Sequence, residues 1–411
     1  MEEQKNFITK IKEIFLAHKK AGIISIAVFL AVIIAVVALI VVNNGKDKST
    51  AVADAPTETE TETQSETDKV TESGTEDNKE TESSSETQTD SEKDYINPFT
   101  GEKTDEDISN VRPYAIMLNT IRQALPQSGN SYADMYIEMT EEGGITRILG
   151  IYQNIDDVPK IGSVRSTREY YLSWVMGLDA ILVHAGGDSW VFDEIKRTGY
   201  TSLNCVGDAG YYSMAAFFRD PYRRDTVGNE HSLYTTGKGL LDVVAGYGIS
   251  PNHTTDKYTR FNFAKDGDGT PKDGTPANNV NVTFSGYKST NFIYDENTKD
   301  YGVYFWDEPY IDELNNEHIK VKNIIILPVP NWSAPDAWGK VRQKYDMSGG
   351  AGFYISGGKC TTINWTKGDY NKSEEYGNVL NMTNMDGTPV ELGVGKTYIC
   401  MMSNVYPPVI N

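Results

Sequence analysis

Acids and arginines crowd one part of this 411-residue chain. Asp134, Glu138, Glu141 and Glu142 come first, then Arg147, Arg165 and Arg168, and later Arg219, Arg223 and Arg224. Arginine presents a planar fork of donors that matches a carboxylate or phosphate two-pronged. A cleft with Asp134, Arg147, Arg165, Arg168 and Arg219 as contacts would suit an anionic polymer. A carboxylic acid kept protonated in such a cleft would donate to a glycosidic oxygen, the first step of glycan cleavage. Glu138 and Glu142 are the candidates for that acid. The competing reading is that these acids and arginines pair with one another and hold loops together. Both readings stand on the sequence.

His184 ends an apolar run beside Gly186 and Gly187, and His231 lies among polar residues. Each is a candidate ligand contact or base, and each is equally readable as a satisfied structural histidine. No HxxxH or HxH spacing accompanies them, so no metal is expected. Asp266-Gly-Asp268-Gly-Thr270 opens like a calcium loop, but Ala277 stands where the chelating glutamate belongs. There is no GxSxG elbow, and Gly393-Val-Gly-Lys-Thr397 lacks the first half of a phosphate loop. No cofactor is expected. Cys205, Cys360 and Cys400 are too few and too irregular for a disulfide framework, which leaves a Cys360–Cys400 pair open.

The elements that would position these residues follow from pattern. Residues 112–118 and 180–184 read as short buried strands, Thr146 to Tyr152 as a β-rich run, and Ser166 to Gly177 and Trp190 to Arg197 as helices. Asp134 and Glu138, four apart, fit one helix face or an irregular strand. Strands alternating with helices predict an α/β N-terminal domain over 95–252. A polar, Gly- and Asp-rich connecting loop covers 253–278. Short β-type runs with Gly, Asn and Asp turns predict a mostly antiparallel β C-terminal domain over 279–411.

The start of the chain is of another kind. Ala21 to Val42 is a run of 22 residues, apolar except for Ser25. As a helix it spans about 33 Å, enough for a hydrocarbon core of roughly 30 Å. Five lysines precede it, so residues 1–20 are expected in the cytoplasm and the folded part outside. Residues 43–94 form an acidic Ser/Thr/Glu linker that cannot bury a core and is expected to be disordered. From Gly45 to Asp94 it carries 16 acids and 5 lysines, −11 of the formal net charge of −20. The rest is mildly acidic, so no attraction to nucleic acid follows.

Longer motifs run through the folded part: Pro126-Gln-Ser-Gly129, Glu142-Gly-Gly-Ile-Thr-Arg147, Gly162-Ser-Val-Arg-Ser-Thr-Arg168, Asp179 to Gly187, Phe218-Arg-Asp220 and His231-Ser-Leu-Tyr-Thr235. Tyr294-Asp295, Lys322-Asn323, Gly349 to Gly352, Trp365 and Gly395-Lys-Thr397 continue them. Over roughly 95–405 the chain resembles the YerB-like family of bacterial envelope proteins. That resemblance implies an α/β plus β architecture outside the membrane. Members are often lipoproteins, whereas this chain carries an apolar span; Ser163 replaces a usual proline, and Ser232 an expected asparagine. In a cell envelope, the anionic polymer is expected to be peptidoglycan or another anionic wall polymer. The expected activity is then binding, with cleavage by a lytic transglycosylase or hydrolase built on Glu138 or Glu142. The alternative is a non-catalytic wall-binding or scaffold module with an envelope protein partner.

Overall fold

In this computed structural model the structure describes residues 95–207 and 209–411. The expected cytoplasmic tail, membrane span and acidic linker lie outside the described residues. Among the described residues no helix is long and apolar enough to cross a membrane.

The N-terminal part is α/β. Its strands are β1 (Tyr114–Asn119), β2 (Met135–Thr140), β3 (Thr146–Tyr152), β4 (Ile181–His184), β5 (Ser202–Asn204) and β6 (Tyr211–Tyr212). Its helices are α1 (Glu169–Gly177), α2 (Ser189–Thr198), α3 (Pro221–Val227) and α4 (Gly237–Gly246). The C-terminal part is mostly β: β7 (Asn279–Thr283), β8 (Ser289–Asp295), β9 (Asp300–Phe305), β10 (Asn323–Val329), β11 (Gly349–Ser356), β12 (Lys359–Thr366) and β13 (Thr397–Ser403). Residues 134–138 settle as strand, not helix.

A 12-stranded sheet runs through both parts in the order Thr275–Pro276, β12, β11, β10, β13, β2, β3, β1, β4, β5, β6, with Asn381–Asn384 pairing off this path with β12. The joint is β13 against β2, a parallel pair in which Cys400 faces Glu138. The two parts therefore share one sheet. Residues 253–278 are woven into it as well: Asn262–Phe263 pairs with Glu391–Leu392, and Thr275–Pro276 with β12. A second, six-stranded sheet built on β7, β8 and β9 packs on one face.

Period-two alternation distributes the cores. Met135, Ile137 and Met139 of β2 join α1 and α2 on one face of the large sheet. Tyr136 of β2 joins Val282, Phe292 and Phe305 of the second sheet on the other. Each such apolar side chain contributes roughly 1.5–3 kcal/mol on burial. Glu138 shares the face of Tyr136, so it projects into the dry space between the two sheets. Cys205, Cys360 and Cys400 are buried free thiols.

Candidate functional site

The strands β10, β13, β2, β1, β4 and β5 end along one rim of the sheet. In open α/β sheets the carboxyl ends of parallel strands are where ligands bind. The turn from β2 to β3 lies on this rim. Gly143 and Gly144 hold φ of 73° and 75°, a left-handed backbone that side chains resist. This tight reversal leaves Glu141 and Glu142 beside Arg147 at the start of β3.

Residues 163–168 complete the rim. Asn119 N donates to Ser163 O at 3.1 Å, Arg165 N to Met117 O at 2.9 Å, and Ala185 N to Arg165 O at 2.9 Å. The segment is thus wedged between the ends of β1 and β4, and α1 begins directly after it. A hairpin of Asn331–Pro335 and Val341–Tyr345 reaches the same rim from the C-terminal part.

Within this frame most charges cancel. Arg168 bonds both oxygens of Glu142, at 3.1 and 2.5 Å, and lies 3.2 Å from fully buried Glu141. Arg147 pairs with Glu141, and Arg342 of the hairpin lies 3.6 Å from Glu142 and 3.0 Å from Asp336. Asp188, which caps α2 through Val191 N, is 3.6 Å from Arg168. Burial alone would raise the Glu142 carboxyl, but Arg168, Arg147 and Arg342 hold it below the ordinary carboxylate value. Glu142 is therefore an ionised partner and not a protonated acid.

Glu138 corrects the other expectation for a glycan-cleaving acid. Its side chain is fully buried between the sheets, bonded by Thr146, Thr290 and Tyr398 hydroxyls and paired with Lys288. A polymer strand has no access to it. Asp134 precedes β2 at the opposite end of the strands, where it accepts from Asn97 and Gln153, so it belongs to no site with the arginines. His184 is on the rim but sealed: Nδ1 meets Gly186 O at 2.8 Å and Nε2 meets Ser202 Oγ at 2.6 Å. Burial brings it down to about 4, a neutral structural ring.

Two arginines differ from the rest. Among the described residues, neither Arg165 nor Arg219 forms an ion pair with a carboxylate. Both converge on one short helical turn, Asn229–His231. Arg165 donates to Glu230 O at 2.6 Å, while Arg219 donates to Asn229 O and lies 3.4 Å from Ser232 Oγ. His231 sits in the same turn with its Nδ1 3.0 Å from the Asn119 amide nitrogen. With Asn119 donating there, a neutral His231 carries its proton on Nε2, 3.6 Å from Glu230. Burial, then Arg165, lowers the His231 pKa below its ordinary value. Phe218, 40% exposed, and Tyr222, 73% exposed, flank Arg219 in sequence and stand open to solvent.

The structure thus brings Glu142, Arg147, Arg165, Arg168, Arg219 and His231 to one rim, where His184 is sealed by its own hydrogen bonds, and leaves Asp134 and Glu138 out. Asn119, Glu230 and Arg342 were not foreseen. Asn119 looks in the sequence like an ordinary strand end, and Arg342 arrives from about 200 residues away. No metal-ligand cluster occurs among the described residues.

Comparison with known proteins agrees with this architecture. Residues 99–250 match the family described as "Protein of unknown function (DUF3048) N-terminal domain", and residues 280–399 match its C-terminal domain. A Bacillus subtilis (strain 168) protein named "Putative lipoprotein YerB" is 28% identical over 277 residues, 65% of this chain and 77% of that protein. The crystal structure of YerB from Bacillus subtilis superposes with a TM-score of 0.63 at 24% identity, over 77% of this chain and 99% of the other. Since the two matched segments together span well over half of its length, this chain belongs to the DUF3048 family.

Proposed function

We propose that this protein is a membrane-anchored, extracytoplasmic module that binds an anionic wall polymer, peptidoglycan foremost, without cutting it. The observation that carries the reading is the pair Arg165 and Arg219, two guanidiniums without carboxylate ion-pair partners among the described residues, beside His231 and the exposed Phe218 and Tyr222. Arginine forks suit the carboxylates of peptide stems, and an exposed aromatic face suits a sugar ring. The ionised state of Glu142 and the enclosure of Glu138 favour binding over acid-catalysed cleavage. Anchoring rests on the 22-residue apolar run before the acidic linker, and the lipoprotein name of the relative fits an envelope location. The test is incubation of residues 95–411 with purified sacculi, reading pelleted protein and released fragments together.

A further inference from the structure

The pairing of Glu138 with Lys288 is unlike any other ion pair in the described residues. Both side chains are fully buried, with Nζ 3.0 Å from Oε1. Lys288 enters from the turn just before β8 and also meets Thr290 Oγ1 at 2.6 Å. Aromatic rings wall it in, with centroids 3.5 Å (Phe305), 5.3 Å (Trp306) and 5.9 Å (Phe284) from Nζ. Burial lowers the Lys288 pKa, against the opposing attraction of Glu138. Both carboxyl oxygens accept from hydroxyls: Oε1 from Thr146 at 2.5 Å, and Oε2 from Thr290 and Tyr398 at 2.7 Å each.

An ion pair in such a place carries a large desolvation cost. The same atoms have the layout of an acyl-transfer site. An amine is held 3.0 Å from a carboxyl oxygen, fixed donors face both oxygens, and both groups are shut away from solvent. We propose that Lys288 and Glu138 become joined by an amide bond, an intramolecular isopeptide cross-link.

The step balances without a co-reactant. The ammonium passes one proton to the carboxylate, which leaves a neutral amine beside a neutral acid. The Nζ lone pair attacks Cδ and forms the C–N bond, while the carbonyl pair moves onto the oxygen held by Thr290 and Tyr398. Collapse of that intermediate breaks the other C–O bond. The departing hydroxyl takes a proton from nitrogen and leaves as water. Nothing is oxidised or reduced, and the product removes both buried charges. The link ties β2 of the N-terminal family segment to the head of β8 in the C-terminal one.

The test is a peptide map of the full-length chain extracted from membranes. Trypsin should release a branched species joining residues 123–147 to residues 273–299, lighter than their sum by one water molecule. Cleavage after Lys288 should be lost. Lys288→Arg should give residues 123–147, 273–288 and 289–299 as three separate peptides. A wild-type protein that yields residues 123–147 and 273–288 as free peptides of unaltered mass overturns the proposal, whether or not the variant folds.

Discussion

Arg168 grips Glu142 with two hydrogen bonds, Nε to Oε1 at 3.1 Å and Nη2 to Oε2 at 2.5 Å, while the same guanidinium stands 3.2 Å from buried Glu141. One side chain thus neutralises two consecutive carboxylates at the end of β2. It shares the fully buried Glu141 with Arg147, and its loss leaves that carboxylate with Arg147 alone and Glu142 without its two-pronged partner.

Arg168→Ala should therefore destabilise the fold by about 2 kcal/mol, less than the roughly 3–5 kcal/mol of a wholly unpaired buried charge, because Arg147 stays with Glu141. Glu142→Gln keeps the shape and removes a partly exposed charge, so it should cost only about 1 kcal/mol. Denaturant unfolding of residues 95–411 measures both. Equal losses would show that Arg168 does not help to hold Glu141.

Two glutamates on this rim should respond to pH in opposite directions. Glu142 has its folded pKa lowered below 4.5, so its stabilisation is present above that value and lost as pH falls through the lower folded one. Glu169 of α1 is raised to about 7, chiefly by burial and despite Lys344. Its contribution is full below 4.5 and declines as pH rises toward 7. Across that window Glu169 pulls the melting temperature down as pH rises, against the opposite pull of His184, whose folded pKa of about 4 lies below the ordinary 6.5. Glu169→Gln should shift the slope of melting temperature against pH upward relative to the wild type, and an unchanged slope would contradict the assignment.

His231 should make binding sensitive to acid. Burial and Arg165 lower the ring's pKa, so it stays neutral to a pH below the ordinary 6.5. Protonation below that lowered value adds a third positive group beside Arg165 and Arg219. Pelleting with sacculi should increase on acidification, and His231→Gln should abolish the increase. A variant that retains it would remove His231 from the site.

The exposed rings should matter for affinity but not for stability. Tyr222→Ala or Phe218→Ala should weaken binding about fivefold, the equivalent of roughly 1 kcal/mol of ring contact. Their unfolding midpoints should stay with the wild type, because neither ring is buried.

Local pattern was enough for the N-terminal elements. The apolar run ending at Leu118 and the β-rich Thr146 to Tyr152 form where their pattern places them, and the helix expected from Ser166 begins three residues later, at Glu169. Long-range partners left no local mark. Nothing near residue 138 announces Lys288 or Tyr398, so Glu138 looked like a free acid when it is interior. The join of β13 to β2 is equally silent, since a parallel pair needs only two apolar runs and leaves its partner choice to the whole fold. The arginine cluster was visible as composition. Which of its members would be cancelled by carboxylates depended on the rim that gathers them.

The most direct test of the account is co-sedimentation of residues 95–411 with purified sacculi, comparing wild type with Arg165→Ala and Arg219→Ala at low and high salt. The account predicts that wild type pellets, that salt weakens the binding, that each variant binds about tenfold less, the equivalent of roughly 1.4 kcal/mol, and that no glycan fragments appear. Undiminished pelleting of both variants, or fragments whose release requires Glu138 or Glu142, would contradict it.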